Sequence, residues 1–130
     1  MSDLQTKFQK LADAYTAAWN SGDPKQVASF FATDGQITIN GGDAHVGTAA
    51  LVEMAAGFHS EFPDLQLRCD FARSSGSHCV FAWTLAGHHS ETQNHVEVGG
   101  WEEWDLNDDQ KIQRSLGWFD VEEYQKQIDG

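Results

Sequence analysis

The sequence predicts one α+β domain, with helices covering one face of a curled antiparallel sheet. Three observations carry that expectation. Apolar residues recur at three- and four-residue steps through the first half of the chain, then alternate through the second half. Helices therefore come early and long strands late, the pattern of a sheet with helices on one side. A chain of 130 residues is one domain's worth, and its 5 Trp and 8 Phe are bulky material for a core or a pocket.

Residues 3–20 read as an amphipathic helix, with Leu4, Phe8, Leu11, Tyr15 and Trp19 on one stripe and Ser2 with Gln5 as a capping box. Gly22 suits the helix exit; Asp23 then caps and Pro24 opens a short second helix running through Phe31. The alternating "QITIN" (36–40) is a short strand, and "GGD" turns into "AHVG". Thr48 is expected to cap a third helix that closes before Pro63. Strands follow near 65–73, 78–89, 95–106 and 111–119, with turns at "SSGS" and "NDDQ", and "DVEEYQKQI" forms a last helical stretch.

The net charge of −12, from 20 acidic against 8 basic residues, argues against nucleic acid and anionic lipid as partners. No apolar run approaches the roughly 20 residues that span a bilayer, and "MSDLQTKFQK" lacks the apolar centre of a secretory signal. Cys69 and Cys79 are too few for a disulfide framework, although they flank a hairpin and could pair. A cytoplasmic setting is the expectation.

"GGWEEWDL" (99–106) raises the functional question. Strand alternation places Glu102, Trp104 and Leu106 on one face and Trp101, Glu103 and Asp105 on the other. If the first face is the inner one, Glu102 is a carboxyl group against apolar surface, costly without a partner or a task.

"AYTAAWNSGDPKQVASFFATDGQITINGG", a "GT"-initiated helix, "FAWTLAGHH" and "WEEWDLNDDQKIQRSLGWFD" together resemble the SnoaL-like branch of the NTF2-like superfamily over nearly the whole chain. The resemblance implies a cone: a strongly bent mixed sheet wrapped around the long N-terminal helix, with an apolar pocket open at one end. Relatives include polyketide cyclases, ketosteroid isomerases, limonene epoxide hydrolase and proteins that only bind, so the fold leaves function open. Tyr15 falls where ketosteroid isomerases keep an oxyanion-stabilising tyrosine, and Glu102 where they keep a protonated acid donating to the same oxygen. Their general-base aspartate aligns with Ile39, which cannot move a proton. Cyclases of the family end their last strand on an acid/base aspartate, where this chain has Ser115, Leu116 and Gly117. The later "WFD" (118–120) lies beyond the pocket position. Nor do Arg68, Arg73 and Arg114 fall into the Asp/Arg/Asp set of epoxide hydrolases.

Each candidate has a plainer reading beside the functional one. Tyr15 is also a core tyrosine, and Glu102 also a salt-bridged strand acid. His88, His89 and His95 lie close in sequence, but adjacent strand residues face opposite ways, so no metal site is expected. His45, with Asp43 nearby, and His89 are candidate substitute bases at the cavity mouth. Trp19, Phe31, Trp83, Trp104 and Phe119 are expected as pocket walls, with Ser115 and Gly117 facing inward and leaving extra room. Ile112, Arg114, Leu116 and Trp118 then face outward with Trp101, an apolar patch fit for a two-fold homodimer.

The expected ligand is a small, largely apolar molecule with an oxygen function. Three readings stand: cofactor-free acid–base chemistry of an isomerase, cyclase or hydratase kind; a binding domain without chemistry; or a protein-interaction module.

Overall fold

The fold is seen in a computed structural model that describes residues 3–130. Helix α1 (Asp3–Asn20) and the short α2 (Pro24–Ala28) precede strand β1 (Phe31–Ile39) and the hairpin strand β2 (Ala44–Val46). Helix α3 (Thr48–Glu61) leads to β3 (Gln66–Ser75), β4 (His78–His88), β5 (His95–Leu106) and β6 (Ile112–Phe119), and α4 (Val121–Asp129) ends the chain. The strands form one sheet in the order β2-β1-β6-β5-β4-β3. Its neighbours are antiparallel except β1 and β6, which run parallel, so the expected mixed α+β architecture is present.

The N-terminal helix forms as its apolar period dictates, and Phe8, Ala12, Tyr15 and Trp19 are buried along it. Tyr15 is the hub: its ring meets Trp104 at 5.0 Å and Phe81 at 5.5 Å between centroids, both edge-to-face. Such pairs add about 0.5–1.5 kcal/mol each beyond area burial, enough to fix the helix against the sheet. Register shifts at Cys69/Phe71 and Asp105/Leu106 break the ladders there, and such irregularities bend the strands that carry them.

Three local expectations are corrected or fall outside the description. The second helix stops at Ala28, not Phe31, because Phe31 joins the ladder opposite Ile112 and begins a strand longer than "QITIN". The cap of α3 is Gly47 at φ 89°, a left-handed conformation that suits glycine, and Thr48 is already the first helical residue. Ser2 and the Leu4 side chain lie outside the described residues; Gln5 reaches β3, donating to the Ala72 carbonyl at 2.9 Å and accepting from Ser74 N–H at 3.1 Å. Cys69 and Cys79 are both free thiols, opposite Trp83 and Ser74 respectively across the hairpin.

The largest correction concerns β6. Ile112 was expected on the outer face with Leu116, and it is fully buried in the core. Asp105 pairs with Arg114 but Leu106 pairs with Ile112, so one extra residue, Gln113, is accommodated and the alternation resets. Downstream of that irregularity the expected faces hold for Ser115 and Gly117, which are buried, and for Arg114, which is exposed. Trp118 is half-buried; its indole reaches the β1–β2 turn, 4.0 Å from where a Cβ on Gly41 would lie.

Candidate functional site

Two neighbouring strands assemble the site through their register. On β5, Glu102 and Trp104 share the inner face; on β6, Gly117 stands opposite Glu102 and Ser115 opposite Trp104. Helix α1 brings Tyr15 from the other side. The Glu102 carboxyl receives three protein donors: Ser115 Oγ at 2.8 Å and Trp104 Nε1 at 2.9 Å, both on Oε1, and Tyr15 Oη at 3.2 Å from Oε1 and 3.3 Å from Oε2. Glu102 is 6% exposed, and Tyr15 and Ser115 are fully buried.

Burial and hydrogen bonding oppose each other here. Removal from water pushes the Glu102 carboxyl up from the usual range, while the Trp104, Ser115 and Tyr15 donors pull it down; burial prevails. The Tyr15 hydroxyl is raised well above its ordinary value by the same burial and by the neighbouring Glu102 charge. Burial thus opposes ionisation of both groups. Oε1 accepts from all three donors, while Oε2 has the Tyr15 hydroxyl alone.

Glu102 lines a cavity of ≈ 50 Å³. Trp19, Met54 and Phe58 from the helices, Ile37 and Ile39 from β1, Trp83 and Leu85 from β4, and Trp118 and Phe119 from β6 form most of its wall, and Tyr124 of α4 contributes from the C-terminal end. Among the described residues lining it, Glu102 is the one acid, and none is lysine, arginine or histidine. Ile39 pairs with Gly117, which pairs with Glu102, so Gly117 stands directly across from this carboxyl and Ile39 one strand further on.

The remaining expected site residues separate into two groups. Trp19, Trp83 and Phe119 are in the cavity wall, as expected. Phe31, Trp104 and Ser115 are buried behind it, and the last two hold Glu102 instead of touching the cavity. Tyr15 also sits behind the wall, its hydroxyl committed to Glu102. His45 is on the edge strand β2 opposite Ile37, away from the lining, and Asp43 is exposed in the turn before it. His89 organises the β4–β5 loop: its Nδ1 accepts from the Glu91 and Thr92 N–H groups, and its Nε2 lies 3.4 Å from Glu61. Neither histidine lines the cavity. Tyr124 and Trp118 are wall residues that sequence reasoning missed. The spacing of Tyr124 and Ile128 on the tail helix was the available signal for the first. Among the described residues no group of three or more His, Cys, Asp or Glu could hold a metal, and no helix is long and apolar enough to cross a membrane.

A family model described as SnoaL-like domain matches residues 12–115, a span that begins on α1 before Tyr15 and ends on Ser115. The chain belongs to the SnoaL-like domain family. Solved structures with the same fold include a candidate SnoaL-like polyketide cyclase from Jannaschia sp. CCS1, at 14% identity and TM-score 0.87 over 100% of this chain and 96% of that one. A candidate polyketide cyclase from Xanthomonas campestris pv. campestris matches at 21% identity and TM-score 0.85, covering 95% and 98%. A hypothetical protein with a ketosteroid isomerase-like fold from Catenulispora acidiphila, in complex with trimethylamine, matches at 16% identity and TM-score 0.85 over 92% of each chain. At these identities the likeness concerns the fold. Among curated proteins none matches this sequence.

Proposed function

We propose that this SnoaL-like domain binds a small, largely apolar molecule whose oxygen function is held by Glu102. The observation that carries the reading is the buried carboxyl at an otherwise apolar cavity, oriented by Tyr15, Trp104 and Ser115 so that Oε2 retains bonding capacity. In its protonated form, which burial favours, the carboxyl donates a hydrogen bond to a carbonyl or hydroxyl oxygen. The trimethylamine held by the Catenulispora relative supports a small-molecule site in this fold. With Ile39 and Gly117 beside Glu102, the wall offers an acid and no partner aspartate as base, which favours binding without chemistry.

A second reading, cofactor-free isomerase- or cyclase-like chemistry, is favoured by the same buried Glu102, because a carboxyl in its protonated form stabilises a developing oxyanion. One experiment separates the two. Small cyclic ketones are titrated in D2O while the Glu102 carboxyl carbon and the ligand α-protons are followed by NMR. Binding without α-proton exchange supports the binding domain. Exchange above background that disappears in Glu102→Gln supports the enzyme. A Glu102 signal indifferent to every ketone would remove both.

We also propose that two copies pair through the outer sheet face. Phe71, Ala82 and Trp101 lie in one row across β3, β4 and β5, with Phe71 48% and Trp101 44% exposed, while Trp118 belongs to the cavity wall. Large apolar groups aligned on one face fit a self-complementary interface. A monomeric mass at micromolar concentration would sink this proposal.

A further inference from the structure

The Glu102 cradle is built for more than a neutral oxygen. Trp104 Nε1–H can only donate, and it converges on the carboxyl with the Ser115 and Tyr15 hydroxyls at 2.8–3.3 Å. Three protein donors on one carboxyl suit a negative charge. Yet none of the described residues lining the cavity is a lysine, arginine or histidine that could answer that charge. Aromatic rings stand in the wall among aliphatic side chains. Trp83 meets Phe119 at 61°, Phe119 meets Tyr124 at 55°, and Trp19 meets Phe58 at 73°, with centroids 5.1–6.1 Å apart. All five of these rings line the cavity, and no pair of them stacks flat.

We infer that the cavity also takes a small alkylammonium ion, with the Glu102 carboxylate as counter-ion and the inclined rings as walls. The inference rests on the cavity being a small-molecule site, and adds a cationic class of ligand to the oxygen-bearing one. A cation over aromatic faces is attracted by the ring quadrupole, most strongly where water is excluded, and an adjacent carboxylate adds direct Coulomb attraction. The net charge of −12 raises the local concentration of cations around the protein. When the empty site holds a protonated Glu102, binding of the cation releases that proton to solvent and leaves the carboxylate paired with it. Affinity therefore rises with pH until Glu102 is ionised in the free protein.

The test uses tetramethylammonium, whose charge does not titrate, and tert-butanol, an uncharged molecule of similar shape bearing an oxygen. Glu102 is followed by carboxyl-carbon NMR titration of the wild type with and without each ligand. Tetramethylammonium is expected to lower the Glu102 midpoint by about one unit or more, the mark of a ligand preferring the charged form. Its affinity above that midpoint should fall roughly ten-fold in Glu102→Gln and stay unchanged in Glu103→Gln on the outer face. An unmoved Glu102 midpoint, or equal binding to wild type and Glu102→Gln, overturns the inference. If tert-butanol still shifts the Glu102 signal in that case, the oxygen-bearing reading stands alone. If neither ligand perturbs Glu102 or the cavity tryptophans, both readings fail.

Discussion

Gly117 faces Glu102 directly across the β5–β6 ladder, and a Cβ on Gly117 would lie 3.7 Å from Glu102 Cγ and 3.8 Å from Ile39 Cγ1. Those are ordinary contact distances, so a side chain can be introduced here without displacing backbone. Gly117→Asp should therefore fold and bring a second carboxyl beside Glu102. Two adjacent carboxyls resist ionising together, so the pair should titrate in two separated steps, the upper one above the wild-type Glu102 midpoint. Carboxyl-carbon NMR reads this; a single step at the wild-type position would show that the two groups do not meet.

Glu102 should also leave a signature in stability against pH. Burial raises its folded-state pKa above the usual carboxyl value of 4.5. The folded form thus binds the proton more tightly than the unfolded chain. Its contribution is complete below about pH 4.5 and is lost as pH rises through the raised folded value. Glu102→Gln lacks that component, so the difference between wild-type and variant Tm should change in this window and flatten above it. Parallel Tm curves across pH 4–8 would contradict the assignment.

Removing the Tyr15 hydroxyl tests the cradle from the helix side. Tyr15→Phe keeps the ring contacts with Trp104 and Phe81 and deletes a buried donor to Glu102. The expected cost is about 0.5–1.5 kcal/mol in urea denaturation, with the Glu102 midpoint moving further up because a stabiliser of its charge is gone. A lowered midpoint would mean that Tyr15 does not donate to Glu102.

Gly100 is where a side chain cannot fit. A Cβ there would collide with the Trp118 carbonyl oxygen and come within 2.5 Å of the Trp83 ring. Gly100→Ala should destabilise the fold by about 1–3 kcal/mol through overpacking and displace Trp83 from the cavity wall. Chemical denaturation and indole NMR shifts report the two effects.

The outer face gives an assembly prediction. Trp101→Glu should convert a dimer to a monomer by sedimentation, with little change in the monomer's own fold, because Trp101 is exposed within one subunit. An unchanged dimeric mass would place the interface elsewhere.

By itself the sequence determined the elements and the two faces of β5. Periodicity is a local property, and hydrophobic residues spaced for a helix at Phe8, Tyr15 and Trp19, or alternating as at Glu102 and Trp104, leave little choice of structure. It also singled out Tyr15 and Glu102, through a family resemblance that the match over residues 12–115 upholds. Tertiary structure decided what those residues touch. The one-residue irregularity at Gln113 buries Ile112 against the expected alternation, and no local pattern announces where a ladder resets. The cavity wall is likewise a long-range product: Tyr124 arrives from the tail helix and Trp118 from the far end of β6. Ser115 and Trp104 hold Glu102 because two strands meet in one register, a relation between distant segments set by packing. The same closure leaves His45 and His89 outside the lining, since a histidine's reach is fixed by the turn or edge strand that carries it.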